Sequence, residues 1–468
     1  MSTIAPGLFA DDRASAIERV HVATALYTTE SVIDGLLDRI NWPASGGALL
    51  DSSCGDGAFL ARALDRLIAS GSFKPENAGR SLRGWEIHPV AARQARERLA
   101  EIIETAGWPA TIARQVANDI VEERDFLTDG PKNDEKFDIV TGNPPYLRRV
   151  NVPTILRDEY DRIVPDYAQG DLLHAFLDSC AQALAPDGII ALVTADRWLM
   201  NAGASRLRAK LGRRFTIAHL TRLDAATSFY RPKHRREGSP PRVHPIEIIM
   251  HKKSRGGKTL GRTAIFPDTT ETGAHLRTLG QVAKVSIAPW LGSPGIFLVD
   301  ASTARRLPPE YLVPAVDTDD LRVDGGIAVA NRYAIRTRAD QPPHPLILDH
   351  LHSELHRMAP RGRMTPEWLP PENWTDESLE RDRLAIPCIA KALRVVRLPR
   401  GILAVSHNVT VIDVPGGNID EIAETLASKS SKSWIAARAA PIEGGYMRIT
   451  TTLLKSLPYF AESTSAKT

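Results

Sequence analysis

The sequence predicts an α/β protein in two parts: a doubly wound, mostly parallel sheet over residues 1–255, a linker at 256–275, and a mixed α+β domain over 276–468. Three observations carry this expectation. From residue 27 to 251, strand-like and helix-like patterns alternate, which is how a parallel sheet covered by helices reads. A glycine-bearing turn, Asp51-Ser52-Ser53-Cys54-Gly55-Asp56-Gly57, follows the first buried strand and opens a helix, where such sheets bind ligands. Near Arg255-Gly256-Gly257-Lys258 the alternation stops and a polar, Thr-rich stretch begins.

Each element has a local reason. Val32, Ile33, Leu36, Leu37 and Ile40 recur at helical spacing, and Ala48-Leu49-Leu50-Asp51 is a short apolar run of strand length. Leu60, Leu64, Leu67 and Ile68 mark the next helix, residues 82–86 a second strand, and the Ala- and Arg-rich stretch 89–104 a second helix. Residues 137–140 and 188–194 read as further strands around a helix at 171–184. Residues 216–223 and 245–251 read as two last strands, antiparallel, joined by an exposed basic loop at 231–238. Beyond the linker, short strand candidates at 295–299, 384–389, 402–405 and 409–414 lie between Pro-rich loops without βαβ rhythm or internal repeat.

Composition narrows the function classes. With 43% hydrophobic and 25% charged residues in 468, the chain is long enough for two or three domains with ample core. A net charge of +3 supplies no global field for nucleic acid, so any basic surface must be local. The three cysteines, Cys54, Cys180 and Cys388, are far apart and form no CxxC pair, which argues against a disulfide framework or a zinc site. No stretch has the apolar length of a membrane helix and the N-terminus has no apolar core, so a cytoplasmic protein without metal is expected.

The chemistry-bearing segment is Asn143-Pro144-Pro145-Tyr146, directly after the strand at 137–140. Two prolines fix two φ angles and remove two N–H donors, so the chain leaves the strand as a stiff loop with free carbonyls. The Asn143 side-chain carbonyl and the Tyr146 ring suit a planar substrate carrying an amino group. At the Asp51–Gly57 turn, phosphate-binding glycine patterns are absent, and Asp51 and Asp56 would repel a pyrophosphate. A donor without phosphates fits better. S-adenosylmethionine has a sulfonium and an ammonium group to meet carboxylates, and a ribose diol for which Glu86 stands ready at the end of the next strand.

In chain order, Tyr27-Thr28-Thr29, the Asp51 turn with Phe59, Gly84-Trp85-Glu86, Arg124-Asp125-Phe126-Leu127 and Asn143–Tyr146 resemble the TaqI-like, gamma-class DNA adenine-N6 methyltransferases of restriction-modification systems. The resemblance covers the first 250 residues. It implies the class I S-adenosylmethionine-dependent methyltransferase fold with a seven-stranded sheet, double-stranded DNA as partner, and a cognate restriction endonuclease elsewhere. It also implies roles: Asn143 and the Pro144 backbone accept from the adenine amino group, Pro145 stiffens the loop, and Tyr146 stacks on a flipped-out base. Asp125 contacts the donor adenine with Phe126 beside it, and Thr28, Asp51, Gly55, Gly57, Glu86 and Asp171 complete the donor site. Phe229 is the nearest match to a second aromatic flanking the base. Ser52 stands where the family has proline.

The C-terminal half exceeds what donor binding needs, and the resemblance implies a target-recognition domain there. Residues 290–297, 387–405 and 444–448 look similar to that region. Lys391, Arg394, Arg397 and Arg400 form a basic run, with Arg394 and Arg397 as the phosphate-contact candidates, and Arg361, Arg363, Trp368 and Trp374 mix charge with aromatics. Competing readings are an RNA adenine or protein glutamine methyltransferase using the same loop, and a non-catalytic recognition subunit that kept the fold. No Asp…Glu-x-Lys nuclease pattern is evident, so modification without cleavage is expected.

Overall fold

The computed structural model describes residues 7–131, 135–230, 244–267, 277–358, 366–375, 379–415 and 417–459. The chain divides into two compact units, Met1–Asp268 and Thr269–Thr468.

The first unit carries strands β1 (Tyr27–Thr28), β2 (Leu49–Asp51), β3 (Leu82–Glu86), β4 (Val121–Glu123), β5 (Phe137–Gly142), β6 (Leu184–Ala195), β7 (Phe215–Arg222), β8 (Phe229–Tyr230), β9 (Pro245–Lys252) and β10 (Lys258–Thr259). Its helices are α1 (Gly7–Thr24), α2 (Glu30–Arg39), α3 (Ala58–Ala69), α4 (Ala78–Ser81), α5 (Pro89–Thr105), α6 (Ala110–Ile120), α7 (Thr154–Asp161), α8 (Leu172–Ala183), α9 (Arg197–Met200) and α10 (Ser205–Leu211). The sheet order is β10-β7-β9-β6-β5-β2-β3-β4. The run from β4 to β6 is parallel, whereas β9 is antiparallel to both β6 and β7.

The pleat sorts neighbouring residues to opposite faces. Leu49, Ile139, Ala191, Val193 and Ile249 bury against Ile33, Leu36, Leu60, Leu64 and Leu99 of α2, α3 and α5. Leu50, Val140, Ile190, Leu192, Ile248 and Met250 bury against α8 and α10. Near-continuous apolar strands with helices on both faces are what a central parallel sheet requires.

The structure corrects two sequence expectations. The sheet has eight strands, not seven, because Lys258–Thr259 pairs with Ile217 and Thr216 of β7. That strand falls inside the expected linker, and Leu260, Ile265 and Phe266 after it are buried. Two residues of strand are too short to leave a periodic signal. The N-terminal segment forms α1 and buries Ala16 and Ile17 against Val152 and Leu156, a helix not anticipated from the sequence. The basic loop at 231–238 and the later part of the linker lie outside the described residues.

The second unit has no βαβ rhythm. Strands β11 (Ala283–Ile287), β12 (Leu298–Asp300), β13 (Leu312–Val316), β14 (Arg332–Ile335), β15 (Arg383–Pro387), β16 (Ile389–Ala390), β17 (Val396–Leu398), β18 (Leu403–Ala404), β19 (Asn408–Asp413), β20 (Ala440–Ile442) and β21 (Tyr446–Arg448) form three small sheets. Their orders are β11-β19-β15-β17, β12-β14-β13-β18 and β16-β21-β20. The single run expected at 384–389 is divided at Cys388, so that β15 and β16 serve different sheets.

Candidate functional site

At the carboxyl ends of β2, β3, β4 and β5 a cavity opens beside the point where strand order reverses, the usual ligand position in open α/β sheets. Thr28, Asp51, Gly55, Glu86, Asp125, Phe126, Asn143 and Pro145 all line it. The sequence had marked each of them. They converge because each follows or ends a neighbouring strand.

The cavity is strongly acidic. Asp51 ends β2, is 1% exposed, and accepts from the Ser53 N–H at 3.2 Å. Burial, with Glu86 and Asp56 nearby, pushes its carboxyl up to about 7. Glu86 is held between two backbone donors, Gly55 N–H at 2.9 Å and His88 N–H at 2.8 Å, yet burial still raises it. Asp56 joins them, its Oδ2 bound by Arg98 at 2.9 Å and by the Tyr230 hydroxyl at 2.8 Å, its Oδ1 buried without a hydrogen-bond partner. The Thr28 and Ser53 hydroxyl oxygens are likewise buried and unpartnered. Buried carboxylates pushed upward, with vacant polar atoms beside them, fit a cationic ligand that also carries hydroxyls.

Asp125 faces the cavity from the loop after β4. Its Oδ1 accepts from Leu127 N–H at 3.0 Å, and its Oδ2 from the Tyr160 hydroxyl at 3.1 Å and Arg13 at 3.3 Å. Burial raises this carboxyl in spite of both partners. Phe126 is buried between Trp85 and Phe176, with ring centroids at 5.7 and 5.4 Å. Arg13 also reaches Glu159 of α7 at 3.2 Å, so one α1 side chain ties together two segments that border the cavity. Farther along α1, Glu18 bonds His88 at 2.8 Å and His21 stacks on the same ring at 3.9 Å. Arg13, His21, His88 and Tyr160 escaped the sequence reading, since nothing local signals contacts made more than 30 residues away.

The loop after β5 is held from two sides. The Asn143 side-chain NH2 donates to the Leu26 carbonyl at 2.7 Å, which fixes the amide so that its oxygen points away from Leu26 as an acceptor. In this structure the Tyr146 hydroxyl donates to that oxygen. After Tyr146 the chain pairs with the segment before α8: Leu172 N–H donates to the Leu147 carbonyl at 2.8 Å, and Arg148 bridges Asp171. Gly142, one residue ahead of Asn143, has φ of 120°, and a methyl there would overlap the Asp51 carboxylate. This glycine was missed, although its place directly before the Asn-Pro-Pro-Tyr segment was a usable signal. Gly142→Ala is expected to weaken donor binding at least about tenfold, since a side chain in this conformation costs roughly 1–3 kcal/mol before the overlap is relieved. Calorimetry giving the parental affinity would show that the loop and Asp51 are not coupled through this contact.

Other assigned residues do not line the cavity. Gly57 has φ of 82°, and a side chain there would meet Ala95 at 2.9 Å, so it serves the close approach of α3 to α5. Asp171 caps α8 through Leu173 N–H at 3.1 Å and pairs with Arg197 at 2.5 Å; it supports the loop from behind. Pro144 is buried beneath the loop. Phe229 is 8% exposed and packs in the core, paired across β1 with Thr28, whereas its neighbour Tyr230 turns towards Asp56. In the second unit, Arg394 bonds the Arg322 carbonyl at 3.1 Å, and Arg397 is committed to Asp382 and Asp420. Arg397 is therefore a poor phosphate ligand. Trp368 and Trp374 pack against the core of the second unit, and Arg361 and Arg363 lie outside the described residues. Among the described residues, no group of three or more His, Cys, Asp or Glu could hold a metal, and no helix is long and apolar enough to cross a membrane.

Known proteins agree with this architecture. Residues 68–229 match the family described as Eco57I restriction-modification methylase. The chain is 24% identical to the type II methyltransferase M.XhoI of Xanthomonas vasicola over 92% of its length and 90% of that protein. It is 24% identical to the type II methyltransferase M.BstVI of Geobacillus stearothermophilus over 92% of its length and 89% of that protein. Among solved structures, the type IIL restriction-modification enzyme MmeI in complex with DNA superposes with a TM-score of 0.55 at 14% identity, covering 95% of this chain and 67% of that one. The fold is that of the class I S-adenosylmethionine-dependent methyltransferases, which makes S-adenosylmethionine the cofactor, and the chain resembles the methylases of restriction-modification systems. The cavity fits that group: Asp51 and Asp56 would meet its cationic centres, Glu86 its ribose diol, and Asp125 its adenine, with Phe126 packed beside it.

Proposed function

We propose that this chain is a site-specific DNA methyltransferase that modifies the N6 amino group of adenine, as the modification enzyme of a restriction-modification system. The observation that carries the reading is the Asn143 amide, which lines the cavity, is anchored through its nitrogen on the Leu26 carbonyl, and offers its oxygen as an acceptor, here to the Tyr146 hydroxyl. The type II methyltransferases it resembles across nine-tenths of its length support the restriction-modification setting.

Adenine N6 is a weak nucleophile because its lone pair is delocalised into the ring. Two acceptors aimed at its hydrogens, Asn143 Oδ1 and the Pro144 carbonyl, pull that pair back towards the methyl. S-adenosylmethionine supplies an electrophilic methyl on a sulfonium. With that donor bound, its methyl would pass to N6 as the bond to sulfur breaks, and the N6 proton displaced would leave to solvent, while Asn143 Oδ1 and the Pro144 carbonyl would hold the amino hydrogens. Asn143 and the stiff Pro144-Pro145 segment hold the amine in line, and the buried carboxylates hold the donor. The base must leave the helix, which costs a few kcal/mol, and stacking on Tyr146 returns about 1–3 kcal/mol. For the amine to reach Asn143 Oδ1, the Tyr146 hydroxyl has to give up that oxygen.

Labelled donor offered to duplex DNA, RNA and protein together tests the reading; label in DNA supports it, and label confined to RNA or protein sinks it. Tyr146 gives a finer check. Tyr146→Phe keeps the ring and frees Asn143 Oδ1, so it should retain most of the transfer rate. Tyr146→Ala should lose roughly 5- to 150-fold, the rate equivalent of the stacking term. With 2-aminopurine at the target position, the alanine variant should leave the extruded probe brighter. Equal damage from both replacements would remove the ring from the base-binding role.

A further inference from the structure

We infer that the small sheet β16-β21-β20 of the second unit is a surface that docks double-stranded DNA, an assignment that rests on the reading above and locates it on the chain. Antiparallel register sets Ile389 opposite Arg448, and Ile442 opposite Tyr446. Because side chains alternate and paired residues share a face, Ile389, Tyr446, Arg448 and Ile442 project from one side, and Lys391, in the bend after β16, joins them over the Tyr446 ring. Ala390, between Ile389 and Lys391, is 4% exposed and turns into the protein. The projecting side is open: Tyr446 is 42% and Ile389 37% exposed, and Lys391 and Arg448 are exposed as well.

The chemistry of this face points to a polyanion with planar groups. Lys391 Nζ sits over the Tyr446 ring, 5.3 Å from its centre, which holds a cation on the face of an exposed aromatic. Among the described residues neither Lys391 nor Arg448 forms an ion pair with a carboxylate, in contrast to Arg397, which has two. The hairpin that projects Tyr446 turns through Gly444 and Gly445, with φ of 78° and 76°, a conformation that brings backbone close to a partner without side-chain bulk. Two cations without a carboxylate partner among the described side chains suit backbone phosphates, and an exposed tyrosine between apolar neighbours suits the sugar and base edges of a groove. Cys388 links the face to the rest of the unit, its N–H donating to the His407 carbonyl and its carbonyl accepting from Ile449.

The test uses the full chain and duplex DNA carrying its methylation site, with affinity followed by anisotropy across a salt series. Replacing both cations, Lys391→Glu with Arg448→Glu, should lower affinity at low salt and reduce the steepness of log Kd against log salt by about two. Tyr446→Ala should weaken binding at least about fivefold with little change of slope. Donor affinity and melting temperature should stay at parental values, and the milder pair Lys391→Gln with Arg448→Gln should move the slope in the same direction. Parental DNA affinity and slope in all these variants, while the parent binds DNA, would overturn the inference and leave the proposed activity standing. A parent that binds no duplex DNA, or binds only RNA, would overturn both.

Discussion

Asn143→Ala is expected to lose methyl transfer by about a hundred- to a thousandfold, the usual cost of deleting one preorganised acceptor or donor at a reacting centre. Donor affinity should change only a few-fold. The separation follows from position: Asn143 follows β5 and is anchored on Leu26, whereas the carboxylates proposed to meet the donor belong to the ends of β2 and β3 and to the turn after β2. Removing the side chain deletes the acceptor for the amine but leaves Asp51, Asp56 and Glu86 untouched. Asn143→Asp is a sharper probe, because it keeps an acceptor oxygen but forfeits the N–H bond that orients it on the Leu26 carbonyl. It should recover less than a tenth of the parental rate if orientation matters as much as acceptance. Single-turnover transfer and donor calorimetry on the same preparations decide the matter; loss of donor affinity in step with loss of rate would assign Asn143 to the donor site.

The second large effect concerns Asp51 and pH. Burial, with Glu86 and Asp56 nearby, pushes its carboxyl from an ordinary 3.8 up to about 7 by disfavouring the charge. The folded state thus binds a proton that the unfolded chain has already released. Stability is undiminished below about pH 4 and falls as pH rises towards 7, by on the order of 4 kcal/mol at pH 8. A cationic donor reverses this penalty by favouring the carboxylate, so donor affinity should rise as pH rises through about 7. Asp51→Asn should therefore melt higher than the parent at pH 8 without donor, bind donor at least about tenfold more weakly, and lose most of the pH dependence between 6 and 8. A variant that kept the parental pH dependence would place the titration on another group.

What the sequence made legible is what lies next to a strand end. Asp51, Glu86 and Asn143 each end or closely follow an expected strand, and the doubly wound pattern is enough to bring those ends together, whereas β4 ahead of Asp125 was not expected and that residue was legible only through the resemblance. Contacts made by folding were out of reach. Arg13 meets Asp125 across 112 positions, and nothing around residue 13 announces it. Phe229 and Tyr230 show how one residue of register decides a role: in a two-residue strand the side chains alternate, so Phe229 enters the core and Tyr230 reaches Asp56. Gly55 and Gly57 look equivalent in the turn, yet one lies against the Tyr27 ring at the cavity and the other against Ala95 of α5. Asp171 was legible as important, but only the pairing of its segment with residues 147–149 shows that it braces the loop. In the second unit, a run of arginines could be read from the chain, but not that Asp382 and Asp420 neutralise Arg397.

The central claim is that the amine presented to Asn143 is the N6 group of adenine in DNA. It is tested most directly by methylating unmodified duplex DNA with isotopically labelled donor, digesting it to nucleosides and identifying the labelled product by mass spectrometry, with Asn143→Ala treated in parallel. The expected result is label in N6-methyl-deoxyadenosine alone, and none above background with the variant. Label in methylated cytosine, or N6-methyl-deoxyadenosine formed equally well by Asn143→Ala, would contradict it.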